Sequence, residues 1–347
     1  MRITARVISL LSILFLVACG GGDGNVEDGN AKESNVSSDY IAEKTVFAMD
    51  TVMSLRAYGP NGEKALESAE SEILLLDQKL RRGSESSEIY AVNAKGSAEV
   101  SEDTAELISA ALDIGESTGG AFDISIAPVM DLWGFYTGEF YVPSEAELSD
   151  SLAKVDYRNV SVNGKTVSVT NGAQIDLGGI AKGYLSSQII DIMKKNGVAS
   201  SIVSLGGNIQ TLGTKPDGSS WKVGIQDPDN LDGYIGVLSI SDMAAVTSGG
   251  YQRFFEQDGA VYHHIIDPVG GSPAHSGLKS VTVVSADGTL ADGLSTALYV
   301  MGLNKGTEYW RSHDGFDVVF VTDDNKILIT KGLADMFEGR SEALIIE

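Results

Sequence analysis

Cysteine, histidine and positive charge are all scarce in this sequence. Its 347 residues include one cysteine and four histidines, which excludes internal disulfides and argues against a structural zinc site. Lys and Arg together number 25 against 48 Asp and Glu, so the formal net charge is −23. Such an acidic chain repels nucleic acid unless it carries a basic stripe, and the sequence has none. An anionic ligand must therefore be held by a local set of donors or through a bound cation.

Four common catalytic motifs are also missing. The chain contains no GxxxxGK[ST], no GxGxxG after a strand-like segment, no GxSxG and no HExxH. P-loop, Rossmann, α/β-hydrolase and zincin proteins each depend on one of these motifs, because it places a phosphate cradle, a nucleophile or a metal at the site. The sequence thus argues against all four classes.

The apolar run near the N terminus, residues 7–18, is too short to cross a bilayer comfortably. Two arginines precede it and a small residue ends it, which is typical of a secretory signal. The letters LVAC at 16–19 are similar to a bacterial lipobox, in which the peptide is cut before the cysteine and the thiol takes up diacylglycerol. The alternative is an ordinary signal peptide with a chance cysteine. We predict a signal peptide over residues 1–18 and lipidation of Cys19.

Residues 19–43 are rich in Gly, Ser, Asn and acids and poor in apolar side chains, which predicts a flexible tether. Loss of residues 1–18 would remove two basic residues and no acid, and the charge would become −25. No internal repeat or second low-complexity linker divides residues 44–347. We therefore predict one catalytic domain there, on a membrane lipoprotein that faces the periplasm or another extracytoplasmic space.

Helical and strand-like periodicities alternate along this domain. Helices are predicted near residues 65–80, 101–117, 180–196 and 291–302. Strands are predicted at residues 45–57, 201–205, 221–226, 235–240, 252–257, 260–267, 280–286, 317–322 and 326–330. Hairpin signals such as Asn163-Gly164 outnumber the parallel crossovers that the pattern allows. The sequence therefore predicts an α+β fold with mixed or antiparallel sheets and packed helices.

A glycine pair in IDLGGIAKGYL, residues 175–185, lies between a carboxylate and a lysine. The glycines allow a ligand to approach the backbone, and Lys182 in the first turn of a helix suggests a bound anion. Asp176 would oppose that anion unless a positive charge comes between them. The alternative is an ordinary strand-to-helix turn with a capping acid and a solvated lysine.

A second candidate lies in ADGLSTALYVMG, residues 291–302. Asp292 and Thr296 are four residues apart and so share one helix face. A carboxylate and a hydroxyl are hard oxygen ligands that suit Mg²⁺, which keeps few protein ligands and shares its shell with phosphates. The alternative is a capping aspartate with a threonine on the core face.

Two adjacent histidines form a third candidate, in VYHHIIDPVGGSPA, residues 261–274. On a strand, His263 and His264 face opposite ways, so at most one points into a given site. A histidine near a strand end suits a general base that works near neutral pH. The alternative is one surface histidine and one core histidine.

Paired glycines also follow strand-like segments in SLGGNIQTLG (204–213) and VTSGGYQRFF (246–255). Such turns admit a ligand closely, but they are equally common as plain tight turns. None of these motifs is specific alone, whereas their order along the chain is.

Nine blocks in one order resemble the ApbE family of FAD:protein FMN transferases, over residues 44–335. The blocks are AMDTVMSLRAYG (48–59), SSEIYAVN (86–93), GAFDISIAPVMDLWGF (120–135), IDLGGIAKGY (175–184), SLGGNI (204–209), WKVGIQDP (221–228), VTSGGYQR (246–253), HHIIDPVGGSP (263–273) and ADGLSTALYVMG (291–302). The resemblance implies a T-fold-related α+β architecture with a flavin bound in a cleft. Anchored lipoproteins are common in this family, which agrees with the lipobox.

The resemblance also implies an activity and its residues. The enzyme would use Mg²⁺ to cleave FAD, pass FMN to a threonine or serine hydroxyl of another protein, and release AMP. The metal would be held by Asp292, Thr296 and the main-chain oxygen of Gly179, and His264 would be the base beside a catalytic Asp292. The residues implied in FAD binding are Met49, Pro128, Val129, Met130, Asp176, Lys182 and Ile265.

Two positions depart from the family pattern. Some members have a further acid where this chain has Ser295, and many have an acid where it has Gly250. The acceptor is expected to be an exported or membrane protein of an electron-transfer complex, and the family's partners point to the inner membrane. Alternatives are an FAD pyrophosphatase, which gives FMN and AMP, and a flavin-binding lipoprotein without turnover.

Overall fold

The computed structural model describes residues 40–347. The predicted signal peptide, Cys19 and the tether as far as residue 39 lie outside the described residues. The first strand begins at Ile41, so the predicted boundary between tether and domain at residues 43 and 44 falls inside that strand. Among the helices of this described part, none combines the length and apolar character needed to span a membrane.

The helices agree with the apolar periodicity of the sequence. They are α1 (Gly62–Leu80), α2 (Glu88–Lys95), α3 (Glu102–Ser117), α4 (Ala127–Leu132), α5 (Glu145–Leu152), α6 (Ala181–Lys195) and α7 (Gly288–Ser312). The predicted helix at 291–302 is longer than expected, because the chain resumes a helical path after Gly302. That residue has non-helical angles, φ 75° and ψ 175°, and kinks α7.

The strands are β1 (Ile41–Ala48), β2 (Thr51–Tyr58), β3 (Ser97–Glu99), β4 (Val160–Asn163), β5 (Thr166–Val169), β6 (Ser201–Leu205), β7 (Asn208–Leu212), β8 (Trp221–Asp227), β9 (Asn230–Ile240), β10 (Ala244–Gly249), β11 (Phe254–Gln257), β12 (Ala260–His263), β13 (Leu278–Ser285), β14 (Phe316–Thr322), β15 (Ile327–Thr330), β16 (Phe337–Gly339) and β17 (Leu344–Ile346). Nine of them form one sheet in the order β1-β2-β6-β7-β10-β13-β14-β15-β17. Its pairs are antiparallel except β15–β17, which is parallel. The predicted α+β fold with mostly antiparallel pairing is confirmed.

The large sheet separates two apolar layers. On β6, Val203 and Leu205 face a core shared with helices α1, α3, α6 and α7. Ile202 faces the other way, into a core shared with the small sheet β8-β9-β16. This alternation follows from the two-residue period of a strand. The helix side of the sheet carries the candidate site.

One predicted strand is wrong. Residues 45–57 form the hairpin β1–β2 instead, and Met49 and Asp50 make its turn with φ angles of 49° and 57°. Neither residue is a glycine, so the turn has no strong signal in the sequence. The hairpin places Met49 at one end of the large sheet. The predicted strand at 260–267 is also too long, since β12 ends at His263.

A third apolar cluster anchors the β11–β12 hairpin. Phe255 of β11 stacks on Phe140 with ring centroids 4.8 Å apart, and on Tyr262 of β12 at 5.2 Å. Trp133 packs against the same two strands and donates from its indole nitrogen to the Gly271 carbonyl at 2.7 Å. The stacked rings fix the hairpin and with it the histidine pair at its end.

Helices α6 and α7 meet at Gly183, where a side chain has no room. A Cβ at this position would lie 2.5 Å from the Asp292 Cβ and closer still to the Gly288 carbonyl oxygen. We expect Gly183→Ala to separate the two helices and to lower the free energy of unfolding by about 2 kcal/mol. Thermal unfolding measures this. Asp191→Ala, at an exposed position of the same helix, should change the stability by less than about 0.5 kcal/mol. Equal shifts for the two variants would contradict the packing argument.

Candidate active site

Several turns meet at one end of the large sheet. The Gly206-Gly207 turn between β6 and β7 touches the start of β2, since a Cβ on Gly206 would lie 2.6 Å from Thr51 Oγ1. That contact places the glycine turn next to Met49. Helices α6 and α7 pack against each other on the helix side of the sheet, α6 over β6 and β7 and α7 over β10 and β13.

Asp292 is a buried carboxylate without a counter-ion. Its exposed fraction is 4%, and its Oδ2 accepts a hydrogen bond from the Gly183 backbone N–H at 2.8 Å. Within residues 40–347, Oδ1 has no hydrogen-bond partner and neither oxygen lies within 4.0 Å of a Lys, Arg or His nitrogen. A buried charge is costly unless it is paired or binds a metal. The arrangement therefore calls for a cation from outside the chain.

Oxygen donors surround this carboxylate. The predicted metal ligands Gly179 and Thr296 lie close together, because a Cβ on Gly179 would be 3.6 Å from Thr296 Oγ1. Thr296 is one helical turn from Asp292, as predicted. Among the described residues, no group of three His, Cys, Asp or Glu side chains could hold a metal. A single carboxylate, a hydroxyl and a main-chain carbonyl fit Mg²⁺, which usually keeps several ligands from water or substrate phosphates.

Ser248 supports the threonine and was not predicted as a site residue. Its hydroxyl lies 3.2 Å from Thr296 Oγ1 and 2.8 Å from Ser295 Oγ. Ser295 is fully buried and donates to the Asp292 carbonyl at 2.8 Å. The hydroxyl at position 295 is thus engaged in orienting Ser248. The pattern VTSGG gave a weak signal, since a small polar residue before a glycine pair is common in turns.

Asp176 is neutralised by an arginine that sequence reasoning missed. Its Oδ1 accepts from the Gly178 N–H at 2.8 Å, and its Oδ2 forms an ion-pair contact with Arg82 Nε at 3.2 Å. The Arg82 guanidinium also binds Asp131 Oδ1 at 2.6 Å and lies 4.2 Å from the centroid of the Tyr136 ring. The acid is therefore tolerable near an anion because Arg82 supplies the positive charge. The two residues are far apart in the sequence, and no local pattern links them.

Lys182 stays available for an anion. It lies in the first turn of α6, half-buried, and its Nζ is 3.5 Å from the Gly178 carbonyl oxygen. Of the ion pairs within residues 40–347, none includes this lysine. A positive charge at a helix N terminus is unfavourable for the helix dipole alone, so its position favours a ligand that carries negative charge.

The two histidines have different environments, with His263 as the last residue of β12 and His264 just beyond it. His263 uses both ring nitrogens: Nε2 lies 3.1 Å from the Ala274 carbonyl, and Nδ1 accepts from the Ile265 N–H at 3.3 Å. His264 Nδ1 donates to the Arg253 carbonyl at 3.1 Å, and its Nε2 has no partner within the described chain. The carbonyl partner fixes the proton on Nδ1 and leaves the Nε2 lone pair free. His264 is therefore the candidate base, and His263 is structural.

Burial and a neighbouring cation keep His264 neutral. Burial, and after it the nearby Arg253 guanidinium, lower the pKa of the ring to about 3. Arg253 is itself held inside by a hydrogen bond to the Phe135 carbonyl, and burial lowers the pKa of its guanidinium. The imidazole is therefore unprotonated at neutral pH and can accept a proton.

The remaining predicted residues differ in how far they are buried. Met49 is partly buried, and its N–H donates to Asp77 Oδ1 at 3.1 Å. On α4, Pro128 and Met130 keep some exposed surface, whereas the Val129 side chain is fully buried in the aromatic cluster. Ile265 is buried as well. Its side chain and that of Val129 thus pack in the interior.

Gly250 has no room for a larger side chain such as an acid. A Cβ at this position would lie 2.8 Å from the His263 ring and 3.0 Å from the Tyr299 hydroxyl. An acid here would displace one of these rings. The rings of His263 and Tyr299, which make a T-shaped contact, fill this space.

The fold is α+β, and its candidate site combines a buried carboxylate without a counter-ion, a lysine outside the ion pairs of residues 40–347 and a histidine that burial keeps neutral. The ApbE family model matches residues 49–320. A relative from Treponema pallidum (strain Nichols), named FAD:protein FMN transferase, is 32% identical over an alignment of 361 positions. The alignment covers 97% of this chain and 97% of the relative.

Two solved structures agree with this match. The ApbE protein of Thermotoga maritima superposes with a TM-score of 0.81 at 32% identity, covering 86% of this chain and 99% of that one. The apo form of the Pseudomonas stutzeri flavinyl transferase ApbE superposes with a TM-score of 0.78 at 30% identity. The match covers 86% of this chain and 97% of that one. The chain belongs to the ApbE family, as its nine blocks predict.

Proposed function

We propose that this protein is a Mg²⁺-dependent FAD:protein FMN transferase. It moves FMN from FAD to a threonine or serine hydroxyl of another protein and releases AMP. The observation that carries the proposal is the buried Asp292 carboxylate, which lacks a counter-ion and lies one turn from Thr296 in an ApbE-family chain. Treponema pallidum supplies a relative that is named for this reaction and matches along almost the whole length.

Each residue of the site would have its own role in phosphoryl transfer. Asp292, Thr296 and the Gly179 carbonyl would hold the metal, which when bound neutralises charge on the diphosphate. Lys182 would bind the diphosphate from the start of α6. The acceptor hydroxyl oxygen forms the new bond to the FMN phosphorus, and the bond from that phosphorus to the bridging oxygen breaks. His264 Nε2 takes the hydroxyl proton, and AMP leaves with the bridging oxygen.

The protein would act as a lipoprotein. The lipobox at 16–19 supports an anchor on Cys19, and the Gly- and Ser-rich segment after it supports a flexible connection to the domain. The acceptor would then be a protein exposed on the same, extracytoplasmic side of the membrane, with the inner membrane as the expected location. The strong negative charge does not favour nucleic acid as a partner.

The free Nε2 of His264 would activate a water molecule as readily as a hydroxyl, so an FAD pyrophosphatase is the second candidate. The two functions differ only in the acceptor. Incubating the protein with FAD, Mg²⁺ and co-expressed exported proteins separates them by in-gel flavin fluorescence after denaturation. Mass spectrometry of threonine- and serine-containing peptides then locates the added FMN.

Each outcome of this experiment has a definite meaning. A fluorescent acceptor band that disappears when EDTA replaces Mg²⁺ supports the transferase. Free FMN without a labelled acceptor supports the pyrophosphatase. Bound FAD that survives unchanged would make the protein a flavin carrier, and failure to bind FAD would overturn all three functions.

A further inference from the structure

A buried amide at the start of β7 has no partner. Asn208 follows the Gly206-Gly207 turn, and its exposed fraction is 4%. Its Nδ2 makes no hydrogen bond within residues 40–347. An unpaired buried donor costs free energy, and buried amides nearly always have partners. The donor therefore fits a ligand that the chain itself does not supply.

Asn208 faces the helices. Two residues further along β7, the Gln210 Oε1 accepts from Ser186 Oγ of α6 at 2.5 Å, so Gln210 points to the helix side of the sheet. Leu212 belongs to the core on the same side. Alternate residues of a strand share one face, so Asn208 points to this side as well.

The direction in which α7 runs along the sheet shows which residue of α7 lies at the same height as Asn208. The first turn of α7 lies beside Gln210, since a Cβ on Gly288 would overlap the Gln210 Oε1. Eight residues later, Thr296 lies beside Ser248 of β10. Helix α7 therefore runs in the direction of β10, from Ala244 toward Ser248.

Strand β7 runs against β10, with Gln210 opposite Ala244. The step from Gln210 back to Asn208 thus points the same way as the step from Gly288 to Asp292. Two strand residues cover about 6.6 Å, and four helix residues cover about 6 Å. Asn208 therefore stands level with Asp292 along the sheet.

We propose that Asn208 Nδ2 donates a hydrogen bond to a phosphate oxygen of the FAD diphosphate beside Asp292, an inference that rests on the proposed function. A neutral donor stabilises an anion without competing for the cation that Asp292 requires. The adjoining turn leaves space for the ligand, because a Cβ on Gly207 would meet no atom within 4 Å. Asn208 is thus a binding residue of the donor site.

Two substitutions and one matched control test this. Asn208→Ala removes the donor, and Asn208→Asp keeps the shape but replaces the amide with a negative charge. Ser204→Ala is the control: Ser204 is also buried with an unpartnered hydroxyl, but it shares a strand face with Ile202 and points to the opposite core. FAD affinity is measured by flavin fluorescence titration with Mg²⁺, and riboflavin, which has no phosphate, is measured as a competitor.

We expect Asn208→Ala to weaken FAD binding about tenfold or more and Asn208→Asp to weaken it further. Riboflavin should compete as it does with the unaltered protein, and Ser204→Ala should leave both affinities unchanged. The melting temperature of ligand-free Asn208→Ala should stay close to that of the unaltered protein, because the amide has no partner to lose.

Unchanged FAD affinity in both Asn208 variants, or equal weakening of FAD and riboflavin, overturns the proposal. If the unaltered protein transfers FMN while the Asn208 variants bind FAD normally, only this inference fails. If the unaltered protein does not bind FAD with Mg²⁺, the proposed function fails together with it.

Discussion

Replacing Asp292 with alanine is expected to lower the rate of FMN transfer by about a thousandfold or more at saturating Mg²⁺. The carboxylate is the one charged metal ligand we assign, and a metal contributes several kcal/mol of charge stabilisation to the transition state. A loss of about 4 kcal/mol corresponds to a factor of about 10³ in rate. The transfer rate is measured as a function of Mg²⁺ concentration, with flavin fluorescence of the acceptor as the readout.

Two further variants distinguish the effect of losing the Asp292 charge from the effect of disturbing the fold. Asp292→Asn keeps an oxygen that can accept from the Gly183 N–H, so it should fold normally and still lose Mg²⁺-dependent transfer. Asp287→Asn makes the same change at the N-cap of the same helix, where asparagine caps as well as aspartate, and should keep full activity. If Asp292→Asn transfers FMN at the normal rate, the carboxylate is not a metal ligand.

Replacing His264 with alanine is expected to slow transfer by about 10²–10⁴-fold, the usual contribution of a single general base. Its Nε2 is the free nitrogen of the histidine pair. Since the pKa of the ring is lowered to about 3, the pH–rate profile should show no inflection from His264 near its ordinary value of 6.5. Transfer rates between about pH 5 and 8 check this.

The transfer rates of the His264 and Asp292 variants should be compared above pH 6.5. The lowered pKa means that the unfolded chain binds a proton before the folded one, so stability falls as the pH drops from 6.5 toward 3. His313→Asn, at an exposed histidine after α7, is the matched control and should leave the rate unchanged. At saturating Mg²⁺, Asp292→Ala should be the slower of the two alanine variants, and the opposite order would contradict the metal-centred view.

Local patterns predicted the parts of the site that lie on one element. Asp292 and Thr296 share a helix face because of the helical period, and the structure places them one turn apart. His263 and His264 also differ in their partners, but His264 lies just past the end of β12, so the strand period does not explain the difference. The ends of β6 match their prediction residue for residue, since its apolar run stands between clear turn signals.

Contacts between distant segments could not be predicted in this way. Helices α2–α5 and strands β3–β5 lie between Arg82 and Asp176 in the chain, and nothing in the sequence around either residue specifies the other. Ser248 meets Thr296 only because β10 packs against α7. The turn at Met49 was missed because it places non-glycine residues in the left-handed region, which tertiary contacts stabilise and local preferences do not.

The hairpin that opens the fold separates the start of the described domain from the candidate site. Strand β1 enters at Ile41 and reaches the Met49 turn after eight residues, a distance of about 26 Å. The point where the preceding chain joins the domain is therefore about one strand length away from the Met49 turn, at the other end of β1. A protein anchored through Cys19, as proposed, would then carry the candidate site on the side of the domain away from its attachment point.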